Sequence, residues 1–348
     1  MEKNDFTAQV LMVGGRRCGK TSILAAMKDN FEEIFKQTGM TMYMGDFDTL
    51  DALIQKSNEM KDYFIGINNR MFVPDSNPTE EEKTYSFRIN LVGKNSDIIV
   101  KFVDYPGEWM TAKNHRETLL KHMKLSRAII VAIDTPHMME EEGRFNEYRN
   151  FCRRTGEMLK MALSDKGISW QKKLILFVPL KCERYLEERK MEEVCAKTKE
   201  SYKELIYFLQ NAKMKYEVAI TPIFTMGGAM FSHFERDNLT KEIIVNREFH
   251  TPEKAIYYFP DVTIKEPTPK YCEQPIVYLM RYIAEMIEER KRNEYNGANI
   301  FGKLGIKIGE KFFDMASIND YLEYKELIKQ RIKKEGDGYH IIQNPMGF

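Results

Sequence analysis

The sequence predicts an α/β fold in which helices cover both faces of a mostly parallel six-stranded sheet whose second strand is antiparallel. Short apolar runs of strand length recur along the chain, and segments with a three- and four-residue apolar period separate most of them. Strands that alternate with helices form parallel sheets buried on both faces. A glycine-rich turn follows the first run, and such sheets bind ligands at the ends of their strands. The predicted strands are 8–13, 85–91, 97–103, 128–133, 173–180 and 216–224.

The N-terminal elements follow from simple patterns. Residues 8–13 form an unbroken apolar run, typical of a buried parallel strand. Residues 20–35 then place apolar side chains at helical spacing, which predicts a helix with one buried face. The alternating strand 85–91 is joined to the next strand by a Gly-Lys-Asn turn at 93–95, and this predicts an antiparallel hairpin.

The rest of the chain continues the alternation of predicted strands and helices, with two interruptions. Residues 40–83 and 229–273 are less regular and are predicted to be insertions. We therefore predict one domain at about 1–293 containing these insertions, followed by a C-terminal helical extension at 294–348. The further predicted helices are 46–60, 116–123, 140–163, 188–212, 276–289 and 318–334.

The composition is that of a globular protein and argues against several functional classes. The 348 residues carry a net charge of +1 and are 43% hydrophobic, so neither disorder nor a basic nucleic-acid-binding face is indicated. Five cysteines are scattered without a Cys-x-x-Cys pair, which argues against a zinc site or a disulfide framework. No apolar run approaches the ~20 residues of a membrane span, and the charged N-terminus does not resemble a signal peptide. We expect a cytoplasmic protein without an integral membrane segment.

Residues 14–21, GGRRCGKT, fit the Walker A pattern. The glycines let the backbone wrap closely around a phosphate, and successive N–H groups point inward as an anion nest. The helix that follows directs the positive end of its dipole at the same anion. We expect Lys20 to bind the β- and γ-phosphates and Thr21 to give its hydroxyl to Mg²⁺. The predicted fold is therefore a three-layer P-loop NTPase fold.

A second candidate motif, DYPGEW at residues 104–109, ends the third predicted strand. Asp104 stands where a Walker B carboxylate binds Mg²⁺. The Asp-x-x-Gly spacing predicts that the backbone N–H of Gly107 contacts the γ-phosphate, so that the segment is ordered only in the triphosphate state. An ordinary turn built from Asp, Pro and Gly is the alternative interpretation.

Glu108 occupies the position at which Ras-type proteins carry the glutamine that orients the attacking water. A carboxylate ~4 Å from the γ-phosphate is unfavourable by a few kcal/mol at an effective dielectric near 20. Glu108 therefore acts as a general base, moves away or pairs with a cation, and Arg16 and Arg17 are the nearest cations within the motifs. Either arginine is also a candidate cis arginine finger, and a solvated loop arginine is the alternative for both.

The segment after the fifth predicted strand is the candidate for base recognition. In guanine-specific proteins an Asn-Lys-x-Asp motif lies there, whose acid accepts two hydrogen bonds from guanine and whose lysine stem covers the base. Lys181 and Glu183 fit this pattern, Leu180 replaces the Asn, and a glutamate can make the same bidentate contact. A surface Lys-x-Glu pair is the alternative. Thr225 follows the sixth predicted strand, in the loop whose backbone N–H is expected to meet the guanine carbonyl.

The loop at residues 14–21, and especially the DYPGEW run at 104–109, resemble the GTPases of the translation-factor-related (TRAFAC) class. Within that class the chain is most similar to the bacterial YcjX-like and double-GTPase P-loop families. The resemblance covers the motif order over roughly residues 8–228. It implies Mg²⁺-dependent GTP hydrolysis and a switch that acts on a protein partner. Leu180 and Glu183 depart from the guanine motif and affect base specificity more than nucleotide binding.

The predicted site has three groups of residues. Lys20, Glu108 and Arg17 are the catalytic candidates, and Thr21 and Asp104 are the candidate Mg²⁺ ligands. For the switch I threonine, Thr79 and Thr84 both qualify by position. The residues predicted to bind GTP or GDP are Gly14, Gly15, Arg16, Cys18, Gly19, Lys20, Thr21, Ser22, Gly107, Lys181, Glu183 and Thr225.

Two other functions remain open at this point. A small-molecule kinase or another ATPase uses the same loop, and a kinase usually has a lid with several arginines, for which Arg149, Arg153 and Arg154 are candidates. A nucleotide-binding scaffold that does not hydrolyse its ligand is the third possibility.

Overall fold

The computed structural model describes residues 6–36, 40–64, 71–73, 80–91, 97–165, 172–212, 216–261, 263–282 and 340–343. These residues form one large sheet, one small sheet and helices on both faces of the large sheet. The strands are β1 (Phe6–Val13), β2 (Met40–Met44), β3 (Met71–Phe72), β4 (Lys83–Leu91), β5 (Asp97–Asp104), β6 (Ala128–Asp134), β7 (Lys173–Leu180), β8 (Tyr216–Ile220), β9 (Met230–Phe234), β10 (Ala255–Tyr258) and β11 (His340–Gln343).

The large sheet has the strand order β11-β8-β7-β6-β1-β5-β4-β2. Its five central strands run parallel, from β8 through β7, β6 and β1 to β5. The strand β4 is antiparallel to β5, as the hairpin pattern predicts. Every residue of β6 and β7 is buried, which explains why these strands appear in the sequence as continuous apolar runs.

The prediction of six strands with one antiparallel strand is wrong at both edges of the sheet. In the described residues the sheet has eight strands, because β2 pairs antiparallel with β4 and β11 pairs antiparallel with β8. Both edge strands are short, and each is fixed by pairing with a strand far away in sequence rather than by a local pattern. The predicted strand 216–224 also ends early, at Ile220, because Pro222 has no N–H to give to a ladder.

Helices occupy most of the remaining described residues. The 3₁₀ helices are Gly107–Met110, Lys113–His115 and Glu141–Gly143. The α-helices are α1 (Lys20–Lys36), α2 (Phe47–Asp62), α3 (Arg116–Leu125), α4 (Thr135–Met139), α5 (Asn146–Asn150), α6 (Cys152–Leu163), α7 (Glu183–Glu187), α8 (Met191–Ser201), α9 (Lys203–Asn211) and α10 (274–282).

The long helices predicted at 140–163 and 188–212 are wrong as single helices. The first is broken between α5 and α6 at Phe151, whose φ of 50° is left-handed and ends α5. The second begins only at Met191, after Arg189 with its φ of 56°, and it is broken between α8 and α9 at Tyr202, whose φ of −112° and ψ of 20° are not helical. The predicted helix 276–289 is helical as far as residue 282; its remainder and the predicted helix 318–334 lie outside the described residues.

Two hydrophobic cores lie between the large sheet and its helices, one on each face of the sheet. Along β1, Ala8 and Met12 belong to the core shared with α1, α2 and α10, whereas Leu11 and Val13 belong to the core shared with α3, α6 and α9. This alternation is the period of a strand buried on both faces. The prediction of helices on both faces of the sheet is therefore confirmed.

The small sheet has the order β3-β10-β9 and is antiparallel. An aromatic cluster of Phe145, Phe231, Phe234 and Tyr257 forms its core. Its strands come from the two segments predicted as insertions, 40–83 and 229–273. The domain boundaries at 293 and 294 stay a prediction. In the described part of the chain, none of the helices combines the length and apolar character needed to cross a membrane.

Candidate functional site

The glycine-rich loop lies between the end of β1 and the start of α1, at the carboxyl edge of the parallel strands. Gly19 has a φ of 109°, a conformation that residues with a side chain rarely adopt. Its carbonyl accepts the backbone N–H of Ile23 at 3.1 Å, so the helix begins directly after the loop. The first-turn N–H groups of α1 therefore lie beside the loop, as anion binding requires.

Lys20 is buried within this loop. Its Nζ donates hydrogen bonds to the carbonyls of Gly14 and Gly15, at 3.2 and 3.3 Å, and lies 3.8 Å from Asp104 Oδ1. The ring centre of Tyr105 is 5.7 Å from the same nitrogen. The ammonium group is thus held at the centre of the loop by backbone carbonyls, one carboxylate and one aromatic face.

Thr21 and Asp104 meet at the ends of neighbouring elements. The Thr21 hydroxyl donates a 2.7 Å hydrogen bond to Asp104 Oδ2, and Asp104 is completely buried. Burial, together with the charge of Asp104, raises the pKa of Tyr85, whose hydroxyl shares a hydrogen bond with Thr21. A buried carboxylate beside a hydroxyl is a set of hard oxygen donors, which is the kind Mg²⁺ prefers.

The DYPGEW segment folds back onto the loop. Gly107 begins the 3₁₀ helix Gly107–Met110, and its backbone packs so closely on Gly15 and Arg16 that a side chain at Gly107 would overlap them. Trp109 stacks on His115 with ring centres 4.0 Å apart. The glycine therefore allows the segment to lie directly against the phosphate-binding loop.

Glu108 pairs with Arg16 rather than standing alone. Arg16 Nε lies 2.8 Å from Glu108 Oε1, and both side chains are about one third exposed, at 35% and 37%. The Arg16 guanidinium also lies 5.5 Å from the ring centre of Phe249. Of the three possibilities for Glu108, this geometry favours pairing with a cation. Arg17, the other arginine of the loop, is exposed and has a left-handed φ of 55°.

Lys181 reaches from the end of β7 to the phosphate-binding loop. Its Nζ donates to the backbone carbonyl of Arg17 at 3.1 Å and to Asp134 Oδ2 at 2.7 Å. Its own φ is 60°. Left-handed backbone at residues other than glycine is costly and concentrates at functional sites, and here it occurs at both residues of one contact.

Glu183 lies in the first turn of α7 and is buried. Its Oε1 accepts the backbone N–H of Gly227 at 3.3 Å. Burial raises the pKa of Glu183 to about 7, against backbone N–H groups and the Lys181 ammonium, which lower it. Thr225 is also buried, two residues before Gly227. The two segments predicted to contact the base are therefore in direct contact with each other.

Asp134 is a residue of this edge that the sequence reasoning missed. It ends β6, is completely buried, and its Oδ2 lies 3.3 Å from Arg149 Nε as well as 2.7 Å from Lys181 Nζ. His137 Nδ1 is 2.6 Å from the other oxygen. Burial opposes ionisation, but His137, Lys181 and Arg149 outweigh it and hold the pKa of this carboxyl well below its usual range. Burial lowers the pKa of His137 to about 4.

A signal for Asp134 was present in the sequence. An aspartate directly after a buried strand is the same pattern that identified Asp104, and the run at 128–134 has it. Asn150 adds to the cluster, because its side chain accepts the Asp134 backbone N–H at 2.8 Å and donates to the Asp134 carbonyl at 3.2 Å. No sequence spacing indicates Asn150 or Arg149, since the turns after β6 place them.

The remaining predicted residues lie on or near the loop. Cys18 is buried within it, and Ser22 is half-buried in the first turn of α1. Thr84 is exposed on β4, opposite Val103 and next to the pairing position of Asp104. Thr79 lies outside the described residues.

The parallel sheet, the glycine-rich loop and the Asp104 segment define a P-loop protein of the GTPase class. The model of the Double-GTPase 2 family matches residues 9–219, more than half of the chain, and the chain belongs to that family. The resemblance to double-GTPase P-loop families is therefore confirmed, and membership supports GTP binding and hydrolysis as the general function. No curated protein matches the chain.

The solved structures to which the chain is similar include two of the GTPase-like domain of Ski7 from S. cerevisiae. The one bound to GDP and inorganic phosphate is 14% identical, with 71% of this chain and 47% of that chain covered and a TM-score of 0.36. The one bound to GTP is also 14% identical, with 64% and 43% covered and a TM-score of 0.37. The match thus spans less than half the length of those chains.

Proposed function

We propose that this chain is a Mg²⁺-dependent GTP-binding and GTP-hydrolysing switch that acts on a protein partner. The observation that carries the proposal is the meeting of three groups at one point. Thr21 and Asp104 share a 2.7 Å hydrogen bond beside the buried ammonium of Lys20. These are the hydroxyl, carboxylate and cation that P-loop GTPases use at the β- and γ-phosphates. Cytoplasmic location is part of the same proposal.

The residues present fit Mg²⁺. Thr21 and Asp104 would hold it, either directly or through water, and the phosphates and water complete its preferred oxygen shell. When bound, the ion neutralises negative charge on the phosphates. Lys20 adds a second positive charge from the loop side, and it is already held in place by the carbonyls of Gly14 and Gly15.

Hydrolysis is proposed to use the Arg16–Glu108 pair. Glu108 follows Gly107, so its carboxylate is carried by the segment that contacts the loop. It can orient a water or accept its proton, while Arg16 offsets a carboxylate charge that would otherwise repel the γ-phosphate. Arg16 is accordingly the better candidate for a cis arginine finger than Arg17, which was the sequence-based choice.

Guanine is proposed to bind between Lys181 and Glu183. The Lys181 ammonium is fixed to the loop and to Asp134, so its aliphatic stem is available to cover the base. The Glu183 carboxylate can accept hydrogen bonds from the guanine N1–H and 2-amino group. Its contact with the Gly227 N–H brings the loop after Thr225 to the same place.

The kinase alternative is less well supported. Arg149 is engaged with Asp134, and Arg154 Nη1 donates to the Met110 carbonyl at 2.9 Å, at the end of the 3₁₀ helix Gly107–Met110. A lid needs arginines that can swing onto a transferred phosphoryl group, whereas these two hold the site together. This arrangement favours a switch.

A single-tryptophan variant tests the proposal. The chain has two tryptophans, and Trp170→Phe leaves Trp109, which stacks on His115 within the switch segment, as the only indole. We expect phosphate release from GTP that needs Mg²⁺ and is abolished by EDTA. We also expect Trp109 emission to differ between GDP and a non-hydrolysable GTP analogue, because the γ-phosphate orders this segment.

The control is Asp104→Asn in the same background, with Asp165→Asn as the matched surface change. Asp165 pairs with Lys124 at 2.7 Å and is 39% exposed, far from the loop in sequence. Asp104→Asn should lose both phosphate release and the emission difference, and Asp165→Asn should keep both. Identical Trp109 emission with GDP and the GTP analogue in the Trp170→Phe chain would contradict the proposed switch. GTP hydrolysis without Mg²⁺ would contradict the proposed metal dependence.

A further inference from the structure

One backbone carbonyl of the phosphate-binding loop is held by two cations. The Arg17 carbonyl accepts Lys181 Nζ at 3.1 Å and Arg149 Nη2 at 3.4 Å. The same two side chains flank Asp134 Oδ2, at 2.7 and 3.3 Å. Asp134, Lys181 and Arg149 thus form one unit, which we call the Asp134 clamp, with the Arg17 carbonyl as its target.

The unit is fixed from behind. His137 lies 2.6 Å from the second carboxylate oxygen of Asp134, and Asn150 bonds both backbone groups of Asp134. The carboxylate is fully buried, whereas the Lys181 and Arg149 side chains are 20% and 18% exposed. A buried carboxylate with both oxygens engaged has little freedom to turn, so the two cations are anchored at a constant place.

The orientation of one peptide unit follows from this anchorage. A trans peptide places its C=O and the next N–H on opposite sides. Since the Arg17 carbonyl points at the two cations, the N–H of Cys18 points away from them. Successive N–H groups of such a loop form the nest that binds an anion. Arg17 has a left-handed φ of 55°, which is unfavourable for a residue with a side chain and needs support from its surroundings.

We propose that Asp134 is a positioning residue for phosphate binding: acting through Lys181 and Arg149, it holds the Arg17–Cys18 peptide so that the Cys18 N–H is aimed at the nucleotide's phosphate. The inference deepens the proposed function and rests on it. It also gives Lys181 a second task beside covering the base. Asp134 itself is not proposed to touch the nucleotide.

The Cys18 amide can be observed directly. A chain labelled with ¹⁵N-cysteine has five amide signals, and Cys18→Ser identifies the one from the loop. In the wild-type chain, GDP should move the Cys18 signal downfield, because its N–H gains a charged acceptor. In Asp134→Asn the amide keeps the shape of the side chain but loses the charge that holds both cations. The GDP-induced shift of Cys18 should then be lost and GDP affinity should fall about tenfold to a hundredfold.

Two further variants make the result specific. Arg149→Met removes one cation without touching the residues proposed to contact the base, and it should weaken GDP several-fold and reduce the Cys18 shift in part. Asp165→Asn should change neither. The signals of Cys195 and Cys272, both of which are buried, report whether each variant is folded.

The outcomes separate the two proposals. If the wild-type chain does not bind GDP, the proposed function fails. If the wild-type chain binds GDP but its Cys18 signal does not move, the positioning role fails while the proposed function stands. The same holds if GDP moves the Cys18 signal of Asp134→Asn and of Arg149→Met as far as that of the wild type. A loss of stability in Asp134→Asn with an unchanged Cys18 shift and unchanged GDP affinity would assign Asp134 a structural role only.

Discussion

The two sides of the site are built differently. On the phosphate side, the loop at 14–21 and the segment at 104–109 hold nearly all the proposed contacts. On the base side, the proposed contacts come from residues on separate turns of the chain, namely Lys181, Glu183 and the loop at Gly227, and Asp134 and Arg149 support Lys181 from behind. The residues proposed to touch the phosphates are therefore encoded by two short local motifs, whereas the base contacts and the support of the loop depend on the fold, which brings distant residues together.

The two sides also differ in how firmly their charges are held. The Arg16–Glu108 pair is about one third exposed, so water screens it and little free energy opposes its separation. The Asp134 carboxylate is fully buried and engaged on both oxygens. Removing one partner of such a group is strongly destabilising. The Arg16–Glu108 pair can thus separate when a nucleotide binds, whereas Asp134 and its partners keep their positions.

The largest effect is expected from a substitution on the phosphate side that abolishes nucleotide binding. Lys20→Ala removes the ammonium at the centre of the loop and should abolish the stabilisation of the chain by Mg²⁺–GDP and Mg²⁺–GTP in thermal unfolding. A ligand that binds only the folded chain at a hundred times its Kd stabilises it by about 2.7 kcal/mol, so the loss is easily measured. Lys28→Ala on the same helix, which removes a lysine paired with Asp29 at 3.3 Å, is the matched control and should keep the shift.

An intermediate effect is expected on the base side, where the affinity for guanine nucleotides should depend on pH. The pKa of Glu183 is raised to about 7, and the proposed guanine contact needs the ionised carboxylate. Guanine nucleotide affinity should therefore fall about tenfold between pH 8 and pH 6, as the ionised fraction of Glu183 falls from about 0.9 to about 0.1. Isothermal titration with GDP measures it.

Glu183→Gln is the control for this pH dependence, because it removes the titrating group and leaves the phosphates of GDP to titrate as before. The affinity of Glu183→Gln should change less with pH than that of the wild-type chain. For the protein without nucleotide the sign is opposite. Since the folded pKa of about 7 exceeds the ordinary 4.5, the contribution of Glu183 to stability is present below pH 4.5 and is lost as the pH rises through 7. Equal pH slopes for the two chains would exclude Glu183 from the base site.

The smallest effect is expected on the difference in affinity between GTP and GDP. Arg16→Ala leaves Glu108 without its 2.8 Å partner next to the place of the γ-phosphate. Repulsion between two negative charges should weaken a non-hydrolysable GTP analogue several-fold while GDP affinity changes little. Competition against a fluorescent GDP measures both affinities. Arg17→Ala is the rival change, and a larger selective loss there than in Arg16→Ala would return the arginine role to Arg17.

The same difference explains what the sequence predicts well. The loop and the Asp104 segment are local, so their residues could be assigned before any fold was known. Asp134 follows a buried strand as Asp104 does, but its partners Arg149 and Asn150 could not be identified, because they lie in a stretch whose composition favours one long helix and which in fact breaks at the left-handed Phe151. The edge strands β2 and β11 were missed because they form only by pairing with β4 and β8, and a segment of four or five residues is too short to show a strand pattern of its own.

Thermal unfolding of the chain with GTP, GDP, ATP or ADP in the presence of Mg²⁺ tests the phosphate-binding loop and the guanine site together. We expect GTP and GDP to raise the unfolding midpoint clearly, ATP and ADP to raise it little, and Lys20→Ala to remove the response. Equal or greater stabilisation by ATP would contradict the guanine site at Lys181 and Glu183. A nucleotide response that persists in Lys20→Ala would contradict the phosphate-binding loop itself.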